Sequence, residues 1–328
     1  MTEWIPDELG EGYEQHTIPL GADPDGEGQV EATLVRRVPS ESYESAVLYV
    51  HGFSDYFFQR ELAEFFAERG FAFYALDLRK CGRSRREGQM GHYVSDLALY
   101  DAELDQSLAI IREETGDKPV VLSAHSTGGL VLALWLDRLN KQPGGSKGAG
   151  IAGLVLNSPW FDLQGAPWMR TVGTKAIAAV ARVKPKSIIK LPHTDAYGSS
   201  LHVSAHGEWD FNTAFKPLEG FPVSFGWLTA IRRAHAKLHK GLDVGVPSLV
   251  LRSTRTRFAR TYNEDVATAD AVLDVKQIAR WSGCLGDQVT VVPIDGAKHD
   301  VFISREEPRK AAYAAVDDWL RVKQLVGS

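Results

Sequence analysis

An α/β fold, with a mostly parallel central sheet flanked by helices, is what this 328-residue sequence predicts. Three observations carry that expectation. Short runs of Val, Leu, Ile and Phe recur along the chain, too uniformly apolar to be strands with one wet face. They alternate with longer segments of helical spacing. Polar residues crowd into the few positions directly after each apolar run, where an open parallel sheet places its ligand sites.

Residues 1–27 are polar and glycine-rich and predict an irregular N-terminal arm. Gln29 to Val38 alternates and is rich in β-branched residues, so an early strand or hairpin is expected. AVLYV, from Ala46, reads as a buried strand ending at His51-Gly52. Phe57 to Arg69 has helical spacing and stops at Gly70. Phe71 to Leu76 is a strand leading into DLRKCGRS. Ser95 to Glu114 is an amphipathic helix with Ser95 as its cap. Val120 to Leu122 is a strand and Gly128 to Asn140 the helix behind it, followed by the loop QPGGSKGAG and a strand at Leu154 to Leu156. The rhythm then breaks. Residues 160–245 are loop-rich and aromatic, with Trp160, Trp168, Trp209 and Trp227. It resumes with Ser248 to Leu251, a helix near Asp274 to Trp281, a strand at Gln288 to Ile294 and a last helix from Glu306 to Val322. The expected organisation is an arm (1–27), a core built from 28–159 and 246–328, and a cap or lid inserted over 160–245.

Composition narrows the function classes. The chain is 44% hydrophobic and 24% charged with a net charge of −5, so nothing global draws it to nucleic acid or anionic lipid. Two cysteines, Cys81 and Cys284, are too few for a disulfide framework. The acidic N-terminus has no apolar core, and no apolar run approaches ~18 residues. These features predict a cytoplasmic protein without stable membrane insertion. Oligomeric state is not written in the sequence.

The segments after the strands are HGFSD, DLRKCGRS, AHSTGG, NSPWFD, RSTRTR and GAKHD. AHSTGG places Ser126 on a strand-to-helix turn, where small neighbours let the two backbones approach. It departs from G-x-S-x-G only in having Ala124 at the first position. A serine there can simply cap a helix. As a nucleophile it needs a base, and His299, after the last strand and before the last helix, is the best placed. An oxyanion needs two backbone N–H donors. The amide of Thr127, at a helix N-terminus, is one; that of Phe53, after His51-Gly52, is the other.

On HGFSD, DLRKCGRS with the following YVSDLALYDAELD, AHSTGG and GAKHDVFIS, the sequence resembles the α/β-hydrolase family, and more closely its monoacylglycerol lipase-like branch of the serine aminopeptidase S33 (Hydrolase_4) type. The resemblance covers roughly residues 30–160 and 246–320; the middle segment matches only as an inserted cap. It implies the α/β-hydrolase fold, a catalytic serine at Ser126, a histidine at His299 and an oxyanion hole at Phe53 and Thr127. Lys80 and Cys81 depart from the glycine-rich form of the DxRGxGxS turn. The strand Ser248 to Leu251 is followed by RSTRTRFAR, which lacks the expected carboxylate. TADAVLDVKQIARW resembles the acid-bearing segment, with Asp270 at the acid position after an insertion over 253–269. Asp274, Glu264 and Asp265 are the alternatives, and loss of the acid is a further one.

The expected activity is hydrolysis of carboxylic esters (carboxylesterase, monoacylglycerol lipase or lysophospholipase type) through an acyl-enzyme on Ser126, with a small-molecule ester carrying an apolar part as partner. Trp160, Phe161 and Trp227 are candidate substrate-binding residues, although cap aromatics can equally form the cap's own core. The loop from Tyr197 and the helix after Gly226 suit a lid. An amidase or aminopeptidase would use acidic cap residues such as Glu208, Asp210 and Glu219 to hold an amine. An acyltransferase or a non-catalytic binding protein of the same fold are the other readings. No cofactor is expected and no metal: His193, His202 and His206 sit among glycines and serines without completing a ligand set. The basic run Arg79 to Arg86 reads as a solvated turn, and there is no phosphate-binding glycine motif.

Overall fold

The computed structural model describes residues 2–38, 42–164 and 172–325. Among these, nine strands form one sheet: β1 (Ile5–Pro6), β2 (Tyr13–Ala22), β3 (Gln29–Arg37), β4 (Ser45–Val50), β5 (Phe71–Asp77), β6 (Val120–His125), β7 (Ile151–Asn157), β8 (Ser248–Ser253) and β9 (Val289–Ile294). Their order is β1-β2-β3-β5-β4-β6-β7-β8-β9. The first four in that order pair antiparallel, and β5 through β9 pair in parallel. The helices are α1 (Arg60–Ala67), α2 (Asp101–Thr115), α3 (Thr127–Asn140), α4 (Gly145–Gly148), α5 (Val172–Val183), α6 (Ala196–Ser199), α7 (Phe225–Leu238), α8 (Val275–Trp281) and α9 (Glu306–Val322).

The period-2 geometry of a strand explains why the central runs are apolar throughout. In β4, Ala46, Leu48 and Val50 join one apolar layer with Leu104, Leu132 and Trp135. Val47 and Tyr49 point the other way, into a layer with Phe66, Val316 and Leu320. Both faces are covered, so neither can carry the alternating polar residues of a half-exposed strand. The chain leaves β4 toward β5 on one side and reaches β6 on the other. The crevice beyond the carboxyl end of β4 is therefore the switch point where ligands bind in open α/β sheets.

Three expectations need correction. The arm expected over 1–27 is not irregular: β1 and β2 extend the sheet by antiparallel pairing onto β3. Only Tyr13 and Ile18 of β2 are buried, one in each of the two apolar layers, and the polar residues between them hide the strand from a periodicity reading. The helix expected from Ser95 begins later. Asp96 caps a 3₁₀ turn at Leu97–Tyr100 by accepting from the Ala98 amide, and α2 follows from Asp101. The basic turn Arg79 to Arg86 is largely buried rather than solvated. Arg79 pairs with Glu103 at 2.5 Å, Lys80 with Asp23 at 2.9 Å, and Arg83 with Asp7 and Asp77 at 2.7 and 2.9 Å. The loop between β2 and β3 supplies Asp23, Asp25 and Glu27 around the Lys80 ammonium. That loop compensates for replacing the glycine-rich turn: Lys80 adopts φ +59°, a conformation unfavourable for a residue with a Cβ.

Candidate active site

β6 delivers Ser126 into the switch-point crevice. Its backbone has φ +53° and ψ −118°, a strained conformation for a non-glycine residue. The neighbours supply the close packing that holds it. A Cβ on Gly128 would lie 2.4 Å from the His51 carbonyl oxygen, and one on Gly129 would lie 2.8 Å from Pro159 Cβ. Ala124 at the first small position of the motif is fully buried, so its methyl packs without opening the turn. The Ser126 amide donates to the Asn157 carbonyl at 2.9 Å, and its carbonyl accepts from Gly129 and Trp160.

The loop after β9 brings His299 to the serine. His299 Nε2 lies 2.9 Å from Ser126 Oγ, and His299 Nδ1 lies 2.9 Å from Asp270 Oδ2. Asp270 is fully buried. Its other oxygen accepts from the Val272 and Leu273 amides at 2.8 and 2.7 Å. The segment after β8 is pinned back by main-chain bonds from Asp270 to Arg255 and from Arg257 to Asp270, and Thr256 Oγ1 donates to the Leu273 carbonyl. The long excursion therefore returns Asp270 to the rim of the sheet. Asp274 does something else: it caps α8 by accepting from the Lys276 amide. Glu264 pairs with Arg305 on the surface, and Asp265 with Arg257.

The loop after β4 closes against the same serine. A Cβ on Gly52 would meet Ser126 Cβ at 2.9 Å, which brings the Gly52–Phe53 peptide next to Ser126. Among the described hydrogen bonds, neither the Phe53 amide nor the Thr127 amide donates to a protein acceptor. His51 braces the loop: its Nδ1 donates to the Gly52 carbonyl at 2.7 Å and its Nε2 accepts from the Leu78 amide at 3.1 Å.

The aromatic candidates separate. The Phe53 and Trp227 ring centroids are 4.1 Å apart, and those of Trp227 and Trp160 are 5.8 Å apart. A cavity of about 10 Å³ abuts both Phe53 and Thr127, with Trp227, Val131 and His92 also in its wall. Burial pushes the His92 imidazole well below its ordinary value. Trp160, Phe161 and Trp227 are all buried members of the main core, Phe161 completely, and among the three only Trp227 lines this cavity. Trp168 lies outside the described residues. Of the cap histidines, His202 bonds Ser204 and the Phe211 carbonyl, and His206 stacks on Tyr262.

Several supporting residues escape a motif search. Asn157, at the end of β7, holds the elbow through its carbonyl. Its side chain also donates to Asp300 at 2.5 Å and accepts from the Val301 amide at 3.0 Å, tying the serine turn to the histidine loop. Asp300 accepts further from Gln59. Beside the serine lies a second imidazole–carboxylate pair, His125 with Asp55 at 3.1 Å, and Lys216 of the inserted segment reaches Asp55 at 2.6 Å. Burial works against the Asp55 charge, but Lys216 and then His125 outweigh it and hold the carboxyl well below its ordinary range. The signals were present in HGFSD and AHSTGG, yet nothing in the spacing says that an aspartate at 55 faces a histidine at 125.

Solved structures share this architecture. A soluble variant of monoglyceride lipase from Saccharomyces cerevisiae is 14% identical with a TM-score of 0.62, over 100% of this chain and 95% of that one. A monoacylglycerol lipase from Paleococcus ferrophilus is 17% identical with a TM-score of 0.60, over 94% and 99%. A thermostable carboxyl esterase from Bacillus coagulans is 14% identical with a TM-score of 0.59, over 94% and 98%. At such identities the likeness establishes the fold. No curated protein sequence matches the chain. The family model for serine aminopeptidase, S33 (Hydrolase_4), matches residues 41–306, most of the chain and every site residue described above, and the protein therefore belongs to that family of α/β-hydrolases.

Proposed function

We propose that the protein is a serine hydrolase that cleaves carboxylic esters through an acyl-enzyme on Ser126. The observation that carries this reading is the continuous buried chain Asp270–His299–Ser126, with 2.9 Å at each step. His299 takes the hydroxyl proton as the oxygen attacks the ester carbonyl. Asp270 keeps the proton on Nδ1 and stabilises the imidazolium. The tetrahedral oxygen is received by the amides of Phe53 and Thr127. His299 then returns the proton to the departing alcohol, and water repeats the sequence on the acyl-enzyme.

Esters are favoured over aminoacyl substrates by the placement of the acidic residues. Glu208, Asp210 and Glu219, which could hold a substrate amine, are all solvent-exposed, where a carboxylate binds an ammonium weakly. The walls near the candidate oxyanion hole are aromatic instead, which suits an apolar acyl or alcohol group. The test has two parts. A fluorophosphonate should label Ser126 in the wild-type chain and leave Ser126→Ala unlabelled. p-Nitrophenyl esters should turn over with a kcat/KM at least about a hundredfold above that of aminoacyl p-nitroanilides, a margin of roughly 2.7 kcal/mol. Absence of labelling favours a non-catalytic binding protein, and faster anilide cleavage favours an aminopeptidase.

A further inference from the structure

The stretch from Tyr197 to Pro217, expected to suit a lid, makes together with the residues up to Phe221 a brace of hydrogen bonds to the core. It grips two of the loops that surround Ser126. On the loop after β9, Lys298 Nζ donates to the Ser200 carbonyl at 2.6 Å, the Asp300 amide donates to the Tyr197 hydroxyl at 3.2 Å, and Trp209 Nε1 donates to the Ile303 carbonyl at 2.9 Å. On the loop after β4, the Phe221 amide donates to Ser54 Oγ at 3.0 Å, the Asn212 amide donates to the Tyr56 hydroxyl at 2.8 Å, and Lys216 Nζ donates to Asp55 Oδ1 at 2.6 Å.

Lys216 stands out among these. It is 5% exposed, and its ammonium lies 5.7, 5.8 and 6.0 Å from the ring centres of Phe58, Phe211 and Tyr197. A buried ammonium is costly unless a charge answers it, and here the answering charge is Asp55, two residues beyond Phe53. Ser54 between them has φ +55°, a backbone that this residue holds only under constraint. Asp55 passes the constraint on to His125, the residue directly before Ser126.

We propose that Lys216 is a positioning residue for catalysis: acting through Asp55, it fixes the Gly52–Asp55 loop and so the Phe53 amide that receives the oxyanion. This rests on the serine-hydrolase reading above. Lys216 is buried against Asp55, and its effect is on where a backbone donor sits when negative charge develops. A displacement on the order of 1 Å at such a donor is enough to lower turnover about a hundredfold.

The test compares wild type, Lys216→Met and the charge-free double variant Asp55→Asn/Lys216→Met on one p-nitrophenyl ester, with rates referred to folded protein. The expected result for Lys216→Met is a kcat lowered about ten- to a hundredfold with KM changed less than about threefold. The affinity for a trifluoromethyl ketone, which forms an oxyanion on the serine, should fall by the same factor as kcat. The double variant removes the stranded charge; it should regain the thermal stability of wild type but keep the low kcat. If Lys216→Met does not fold, the double variant alone decides. A kcat within twofold of wild type in the folded variants overturns the proposal and leaves Lys216 a purely structural residue. So does a loss of kcat without loss of ketone affinity. Labelling of wild-type Ser126 by fluorophosphonate is run alongside. Labelled wild type with unaffected variants sinks only the brace, whereas unlabelled wild type sinks the catalytic reading and the brace with it.

Discussion

Two buried imidazole–carboxylate pairs flank Ser126, and they are built for different work. The rings of His299 and His125 lie 4.7 Å apart, centre to centre. His299 has Asp270 on one nitrogen and the serine hydroxyl on the other. His125 has Asp55 on one nitrogen and no protein partner on the other among the described residues. The carboxylates differ as well. The side-chain contacts of Asp270 are two backbone amides and the imidazole, so among the described residues no lysine or arginine answers its charge. The Asp55 charge is already answered by Lys216. A histidine beside an aspartate is therefore not yet a general base. The far nitrogen has to reach the nucleophile, and the carboxylate must still have charge to offer.

The sharpest way to break this contrast is to remove each imidazole in turn. His299→Ala should lower kcat by roughly 10⁴-fold or more, as loss of the base in a serine hydrolase does. His125→Ala should lose no more than about a hundredfold, through a loosened Asp55 loop. Equal losses in ester turnover would mean that the two pairs are not distinct. Next in size is the acid. Asp270→Asn should cost about 10²- to 10⁴-fold in kcat with the chain still folded, because the wrong tautomer of His299 is then stabilised. Asp274→Ala should leave kcat within twofold of wild type and lower stability by about 1 kcal/mol, the value of a helix cap. Chemical denaturation measured beside turnover separates these. If Asp274→Ala alone removes activity, the geometry at Asp270 is not the working one.

The same contrast shows what a sequence can and cannot announce. The apolar runs of β4 to β8 were legible because both faces of a central parallel strand are buried, so each run is apolar without interruption. Ser126 and His299 were legible because a tight elbow demands small neighbours and the last strand-to-helix loop has a fixed place in chain order. Asp270 was legible only through its resemblance to an acid-bearing segment, since the insertion after β8 removes the spacing cue; the main-chain bonds at Arg255 and Arg257 that return it to the rim leave no residue signature. β2 was missed because it lies near the antiparallel end of the sheet and buries only Tyr13 and Ile18. The brace was illegible for a different reason. Asp55 and Lys216 are 161 residues apart, and no local pattern links a lysine in an aromatic loop to an aspartate in the loop after β4. Likewise the turn lysine Lys80 looked solvated until the β2–β3 loop was seen to wrap it with carboxylates.

The comparison extends to two buried lysines at the contact between the Tyr197–Phe221 segment and the loops after β4 and β9. Lys216 has a carboxylate at 2.6 Å, whereas Lys298 Nζ has a backbone carbonyl at 2.6 Å. Burial lowers Lys298 from its ordinary 10.5 to about 8, and the more distant Glu208 only partly opposes this. The consequence for stability has a definite sign. Between about pH 8 and 10.5 the unfolded chain holds a proton on Lys298 that the folded chain has released, so unfolding takes up a proton and stability rises with pH across that window. Below pH 8 both states are protonated, and the full cost of burying the charge persists, on the order of 3 kcal/mol. Lys298→Met removes the titrating group along with its hydrogen bond to Ser200. Whatever the offset from that lost bond, the variant's melting temperature relative to wild type should be highest below pH 8 and should fall as pH rises toward 10. A difference that stays constant across this range would show that Lys298 keeps its proton in the folded protein.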